Sequence, residues 1–349
     1  MNKVWIVDLE AVDTRYTGEW KLWIPSVIRA HVDDHGLEYD VEVVEGDTDI
    51  PEATTPGAFL NFGGTNVYKS SQMNKIARAF TTGEVKAGDI FLYTDAWNPT
   101  IIQLKYMSQL LGIPVKIHAL WHAGNYDKND FLGRLISDEW VKTFELSLAQ
   151  AIDYNWFASD YHIELFQQTH KVDNVYRTGW PMEYLRAKIK PLEKENIVLF
   201  PHRIAPEKQV EIFRDLAKQL PQYQFIVCQD SKLTKTEYHE MLGKAKIVFS
   251  ANLQETLGIS CYEGLLAEAV SLVPDRLSYS EMYNDVFKYP SEWTESYESY
   301  ERNKEQLVKL IDFHMTSYPN YDRIRFRDSV RLTYNYFSCD NLLKVMFND

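Results

Sequence analysis

Cysteine is scarce in this chain: three among 349 residues, at Cys228, Cys261 and Cys339. An odd number so widely spaced excludes a disulfide framework and the paired spacings of a structural metal site. Free buried thiols fit a reducing compartment. Positive charge is short as well, with 37 Lys and Arg against 50 Asp and Glu, a net of −13. The deficit is uneven. Residues 1–180 carry 15 cations against 25 acids, whereas residues 181–349 carry 22 against 25. From His31 to Glu52 there are nine acids and no Lys or Arg, so a broad basic footprint for phosphates or anionic lipid is absent there. Such a run reads first as a solvated acidic face. Long apolar stretches are missing too: none approaches the roughly 18 residues of a spanning helix. The opening apolar run soon meets Asp8 and Glu10, which suits a strand rather than a signal peptide. The expectation is a cytoplasmic protein with no membrane partner.

What is present is an ordinary globular composition, 45% hydrophobic and 25% charged, in a chain long enough for two cores. Nine Trp and 22 Tyr suit clefts that cover polar ligands, and equally suit plain cores. Short β-rich runs alternate with longer segments of helical period, the pattern of parallel α/β architecture. In the first half the pattern predicts strands at 3–7, 39–44, 58–61, 89–93, 114–120 and 155–158. Helices are predicted at 20–31, 66–79, 100–111, 138–150 and 160–169. A turn-like break at Thr178-Gly179-Trp180-Pro181 and a charged stretch containing Pro191 mark a boundary. A second series follows, with strands at 196–200, 224–228, 247–250 and 271–273. Its helices are predicted at 207–219, 235–244, 259–269, 278–287 and 297–316, and a last amphipathic helix at 322–348. The economical reading is two doubly wound Rossmann-like domains, 1–180 and 181–325. Residues 326–349 form a terminal helix returning to the first domain.

In such sheets ligands sit beyond the carboxyl ends of the strands, and candidate residues cluster there. After the strand ending near Ser250, a polar loop carries Glu255, Thr256 and Leu257, and a helix starts near Gly258. Glycine permits close backbone approach, and the free amides of a helix start attract phosphate. Glu263 lies one turn into that helix and can project back toward the same place. Two glutamates eight positions apart are weak by themselves, since helical glutamates are usually solvated. The helix around Glu263, however, is small and apolar, so a buried carboxylate there needs a partner, and a ligand hydroxyl is one. Upstream, Phe200-Pro201-His202-Arg203-Ile204-Ala205-Pro206-Glu207-Lys208-Gln209 places Arg203 and Lys208 after another strand, where fixed cations stabilise a departing diphosphate. The plain alternative is a solvated Arg and a Lys at a helix start, the latter mildly disfavoured by the helix dipole. Arg276, after the strand ending Val273-Pro274, is a further candidate for the cleft. Ser278 with Glu281 reads as a capping box.

These motifs resemble the retaining GT-B glycosyltransferases of the glycogen-synthase-like and sucrose-synthase-like group. Their hallmark is a Glu, seven residues and a second Glu, followed by small residues and a strand ending in Val-Pro. Here these are Glu255, Glu263, Ala267-Glu268-Ala269-Val270 and Val273-Pro274. One departure is Ala269, where members usually carry a glycine before the strand. The resemblance is strongest over residues 196–285 and only architectural over 1–180. It implies two Rossmann-like domains with an interdomain cleft and a nucleoside diphosphate sugar donor, a UDP-sugar first. Transfer to an acceptor hydroxyl would proceed with retention, with no metal and no cofactor. By the same resemblance Arg203 and Lys208 contact the donor pyrophosphate, and Glu255 and Glu263 hold sugar hydroxyls. His122, past the strand Val115–Leu120, lies near the transferred sugar, although a lone histidine is as often structural. Asn125, Asp127 and Asp130 could meet acceptor hydroxyls or simply cap the next helix. The family's glycine-rich loop after the first strand has only Gly18 to offer, and Gly63-Gly64-Thr65 is a second candidate loop. The stretch Phe200–Gln209 together with Asp275-Arg276-Leu277-Ser278-Tyr279 looks like phage-encoded members, some of which glycosylate hydroxymethylated pyrimidines in DNA. Lys69, Lys75 and Arg78 could then form a groove for the acceptor. Rival readings are a glycan or protein acceptor, a sugar-nucleotide epimerase, and a non-catalytic nucleotide-sugar-binding protein.

Overall fold

The computed structural model describes residues 1–11, 16–47, 60–321 and 323–347. The chain divides into two compact units. One comprises residues 1–158, 162–181 and 339–349, and the other residues 159–161 and 182–338. The terminal stretch predicted as one helix is therefore shared. Helix Arg323–Thr333 falls in the second unit and helix Asp340–Phe347 in the first. What interrupts it is the turn Tyr334–Tyr336 followed by Phe337, whose ring stacks on Tyr262 at 3.8 Å.

Among its described residues the first unit holds six parallel strands: β1 (Asn2–Val7), β2 (Tyr39–Val44), β3 (Ile90–Tyr93), β4 (Lys116–Trp121), β5 (Tyr154–Phe157) and β6 (Val175–Arg177). Their order is β2-β1-β3-β4-β5-β6. Central strands of such a sheet are covered on both faces and so read as unbroken apolar runs, as Ile90–Tyr93 does with every side chain buried. The three-residue β6 is too short to stand out by pattern. Of the strand predicted at 58–61, Ala58 and Phe59 lie outside the described residues. Asn61 is no strand residue but a helix cap: its side chain accepts the Gly64 amide at 2.8 Å and opens helix Phe62–Thr82. Gly63, Gly64 and Thr65 are therefore the first turn of that helix, not a loop. Gly18 is likewise inside a helix, Tyr16–Asp34, which starts earlier than its apolar period suggests.

Among its described residues the second unit holds five parallel strands: β7 (Glu195–Phe200), β8 (Gln224–Val227), β9 (Ala245–Phe249), β10 (Val270–Pro274) and β11 (Lys288–Tyr289), ordered β8-β7-β9-β10-β11. Both sheets thus place their first strand between the second and third, the doubly wound pattern whose connections diverge on either side of the first and third strands. In the second unit that switch point lies between β7 and β9, which pair directly through Val198 with Ile247 and Leu199 with Val248. Two helices differ locally from expectation. The helix predicted at 207–219 is a short turn, Pro206–Lys208, then Gln209 in the left-handed region (φ 53°), then helix Val210–Gln219. The helix predicted at 259–269 stops at Leu266, and Glu268 takes φ 59° next to the position where the resemblance leads one to expect a glycine.

Candidate functional site

The loops leaving β7 and β9 carry the sequence-derived candidates, and they leave adjacent strands at the switch point of the second unit. Both are tied to each other. The Leu253 amide donates to the Glu207 carbonyl at 2.8 Å, and the Gln209 side-chain amide donates to the Ala251 carbonyl at 2.6 Å. Lys208 Nζ donates to the Gln254 carbonyl at 2.5 Å. Arg276 clamps the second loop from β10. Its guanidinium donates to the carbonyls of Asn252 (2.7 Å), Ala251 (2.8 Å), Ser291 (2.9 Å) and Thr294 (3.2 Å). That corrects its reading as a ligand-facing cation: its donors are spent on backbone carbonyls of the protein itself.

Lys208 and Glu255 meet across the two loops. Lys208 Nζ, buried, lies 3.0 Å from Glu255 Oε2, which also accepts from Asn252 Nδ2 at 2.9 Å. Burial pushes the Glu255 carboxyl up, but the Lys208 charge and hydrogen bond outweigh it and hold it below the usual carboxylate value. Arg203, more exposed, pairs with the buried carboxylate of Glu207. Behind the pair His202 is buried, its Nδ1 3.4 Å from both Asn252 Nδ2 and Ser260 Oγ. Burial and then the neighbouring Lys208 charge push its pKa down to about 3, so the ring is neutral. His202 and Asn252 are additions that the sequence motifs do not single out. Yet both sit just past strand ends, the positional rule that selects Arg203 and Glu255.

Gly258 has a physical requirement. It caps helix Ile259–Leu266 with φ 68°, and a Cβ there would stand 2.5 Å from a Tyr279 ring carbon. Tyr279 is buried, and its hydroxyl lies 3.2 Å from Ser250 Oγ and 3.3 Å from Asn252 Nδ2. Thr256 and Leu257 are buried in the same loop, and the Thr256 carbonyl accepts from Ser278 Oγ at 2.6 Å. Ser278 is thereby spent on this loop and not on a capping box. The Glu281 carboxylate accepts the amides of Asp160 (3.3 Å) and Tyr161 (3.2 Å) instead. Glu263 is buried as expected, and the protein supplies a partner: Tyr238 Oη donates to its Oε2 at 2.7 Å, with His239 Nε2 4.0 Å from its Oε1. Burial alone therefore does not require a ligand at Glu263. Tyr238 comes from helix Lys235–Lys244, whose contact with Glu263 is a tertiary fact no local pattern carries.

His122 and Gly18 belong to the first unit. His122 follows β4, with Nε2 2.6 Å from the Thr94 carbonyl and Nδ1 2.7 Å from the Tyr16 hydroxyl. A carbonyl only accepts, so the proton sits on Nε2 and Nδ1 accepts from tyrosine. Burial lowers the ring's pKa, in keeping with that neutral tautomer. Trp20 and Trp180 flank it at 5.4 and 4.9 Å between ring centroids. At the switch point between β1 and β3 a cavity is lined by Asp8, Thr17, Trp20, Lys21 and Thr94, among others. Asp8 Oδ1 accepts from Tyr68 Oη (2.7 Å) and Gln72 Nε2 (3.0 Å), while its buried Oδ2 has no hydrogen-bond partner among the described residues. Burial pushes this carboxyl up to about 6.

The remaining first-unit candidates have local duties. Asp130 caps helix Phe131–Leu135 through the Leu132 amide at 3.0 Å, and Asp127 accepts the Asn129 amide at 2.9 Å. Asn125 donates to the Ile136 carbonyl at 2.8 Å. Lys69 is held by Asp95 (3.3 Å) and the Trp97 carbonyl (2.7 Å), and Lys75 by the Glu45 carbonyl (2.7 Å). Arg78 donates to Asn74 at 2.9 Å within its own helix.

No family model matches the chain, and no curated protein matches it by sequence. Solved structures do match it in shape. Sucrose-phosphate synthase from Thermosynechococcus elongatus superposes with a TM-score of 0.64 at 11% identity, over 100% of this chain and 98% of that one. The catalytic domain of starch synthase IV from Arabidopsis thaliana, bound to ADP and acarbose, gives 0.61 at 10%, over 99% and 97%. The lipopolysaccharide outer core galactosyltransferase WaaB gives 0.57 at 10%, over 100% and 99%. The fold is the GT-B fold of these enzymes, two doubly wound α/β units along the whole chain.

Proposed function

We propose that the chain is a glycosyltransferase, moving a sugar from a nucleoside diphosphate donor to an acceptor hydroxyl with retention at the anomeric carbon. One observation carries the reading. In a fold shared with glycosyltransferases, two cation–carboxylate pairs, Arg203 with Glu207 and Lys208 with Glu255, sit on the loops after β7 and β9, where doubly wound sheets bind ligands. The donor pyrophosphate takes Arg203 and Lys208, which stabilise the charge that develops as the diphosphate leaves. Glu255, released from Lys208, accepts from hydroxyls of the transferred sugar. Thr256, Leu257 and Gly258 bring the backbone close at the start of the helix, and Glu263, with Tyr238, accepts from the nucleotide ribose. On the retaining route the departing phosphate itself takes the acceptor proton, so no side chain acts as a conventional nucleophile. His122 stands on the sugar-facing side only by the family resemblance, and its neutral tautomer would present a ring edge, not a charge.

A UDP-sugar is the first donor to try, and the proposed acceptor is a hydroxymethylated pyrimidine in DNA. The test offers UDP- and GDP-sugars with hydroxymethylcytosine DNA, unmodified DNA and no acceptor, and reads sugar on the base and the anomeric configuration of the product. Donor consumption equal with and without acceptor, or an inverted product, would overturn the respective part. An Arg203→Ala variant that turns over donor like the parent would remove the site assignment.

A further inference from the structure

The chain's net charge is −13, yet two helices of the second unit run against it. Helix Arg323–Thr333 carries Arg323, Arg325, Arg327 and Arg331, and helix Leu185–Lys188 carries Arg186 and Lys188. Against these six cations the two helices hold one acid, Asp328. All six side chains are exposed, and both helices pack on helix Ile259–Leu266, the one bearing Glu263. Arg186 also lies over the ring of Tyr334, just past the end of the arginine helix, at 5.3 Å. Some of the charge is engaged: Arg323 Nε lies 3.5 Å from Glu268, and Arg325 lies over Tyr321 at 5.9 Å. Arg327 and Arg331 make no hydrogen bond or ion pair among the described residues.

We infer that this face binds the phosphate backbone of a nucleic-acid acceptor, an inference that rests on the DNA reading given above. Two features favour phosphates over a lipid surface. The cations on the longer helix are all arginine, whose planar fork suits phosphate oxygens. Arg323, Arg327 and Arg331 follow one another at four-residue steps and so form one stripe along the helix, a geometry suited to a row of phosphates. The inner side of this helix, Phe326 with Ser329 and Thr333, is buried in the protein, while Ile324 and Leu332 stand exposed among the arginines. The span from Arg323 to Arg331 is about 12 Å along the axis at 1.5 Å per residue, a length over which duplex DNA carries about seven phosphate charges. This face takes the place of Lys69, Lys75 and Arg78, each engaged within the first unit, as the candidate footprint.

The test measures binding of a labelled duplex of about 20 base pairs by fluorescence anisotropy, from about 50 to about 200 mM salt. Every arginine that neutralises a phosphate adds about 0.9 to the slope of log K against log salt, so Arg327→Gln/Arg331→Gln should flatten it by about 1.8. At about 0.1 M salt that corresponds to binding weaker by on the order of 60-fold. Donor turnover without DNA should be unchanged, and Arg327→Lys/Arg331→Lys should keep the slope. Wild-type affinity and slope in the glutamine variant overturn the inference, as does a variant that loses binding to phosphatidylserine vesicles while binding DNA normally. Sugar transfer to DNA by the wild type and the glutamine variant alike would leave the DNA reading standing and remove this face from it. A wild-type protein that neither binds nor modifies DNA removes both.

Discussion

Replacing Lys208 by methionine keeps most of the side chain's bulk and removes one charge. Without the ammonium, the Gln254 carbonyl loses its Lys208 donor, while Glu255 keeps Asn252 as a side-chain donor. Breaking a buried ion pair costs about 3–5 kcal/mol, but the Glu255 side chain is 22% exposed and can take up a proton. A destabilisation of about 2–3 kcal/mol is therefore expected, and the Glu255 pKa should rise once its opposing cation is gone. If the ammonium also stabilises the departing diphosphate, about 3 kcal/mol of barrier is added, or roughly a hundredfold in kcat. The two effects separate in Lys208→Met/Glu255→Gln. The neutral pair should regain stability to within about 1 kcal/mol of the parent, while sugar transfer stays depressed. Chemical denaturation and single-turnover donor consumption read the two quantities. A double variant as stable as the parent that also transfers sugar within about tenfold of it would show that the pair only fastens one loop to the other.

Gly258→Ala should destabilise the second unit by about 2–4 kcal/mol, because it combines a left-handed backbone with a Cβ forced into the Tyr279 ring. Thermal melting checks this, and Tyr279→Leu in the same chain should recover the steric part alone. Asp8 gives a pH signature. Its carboxyl is raised to about 6 from 3.8, so the folded state holds this proton more tightly than the unfolded state. The resulting stability is complete below about pH 4 and is lost as the pH rises through about 6. Asp8→Asn should raise the melting temperature at pH 7.5 by the equivalent of up to about 3 kcal/mol and do little at pH 4. No gain at neutral pH would show that the buried oxygen is solvated.

Much of this is legible in the sequence because parallel sheets write themselves as apolar runs. Residues 39–44 and helices 100–111 and 235–244 fall where periodicity puts them. The positions of Lys208 and Glu255 follow from one rule, that ligand-binding loops leave strand ends. What the sequence hides has physical causes. Asn61 looks like the end of a strand because a cap differs from a strand residue only in where its side chain points. Gln209 in the left-handed region splits a helix that its apolar spacing carries through. Arg276 and Glu281 defeat local reading because their partners, loop carbonyls and the amides of residues 160 and 161, are set by tertiary folding. The helix break at 334–336 depends on Phe337 reaching Tyr262, a partner 75 residues away in sequence.

The two carboxylate–cation pairs have a consequence for selectivity. Each cation of the site already has an anion of its own, Glu207 for Arg203 and Glu255 for Lys208. If a phosphate binds there as proposed, it shares or displaces those residents, and a displaced carboxylate needs a new donor. Inorganic phosphate brings no hydroxyl-bearing ring to offer in exchange. On the proposed function a nucleotide sugar does, so trading partners would favour the whole donor over bare anions.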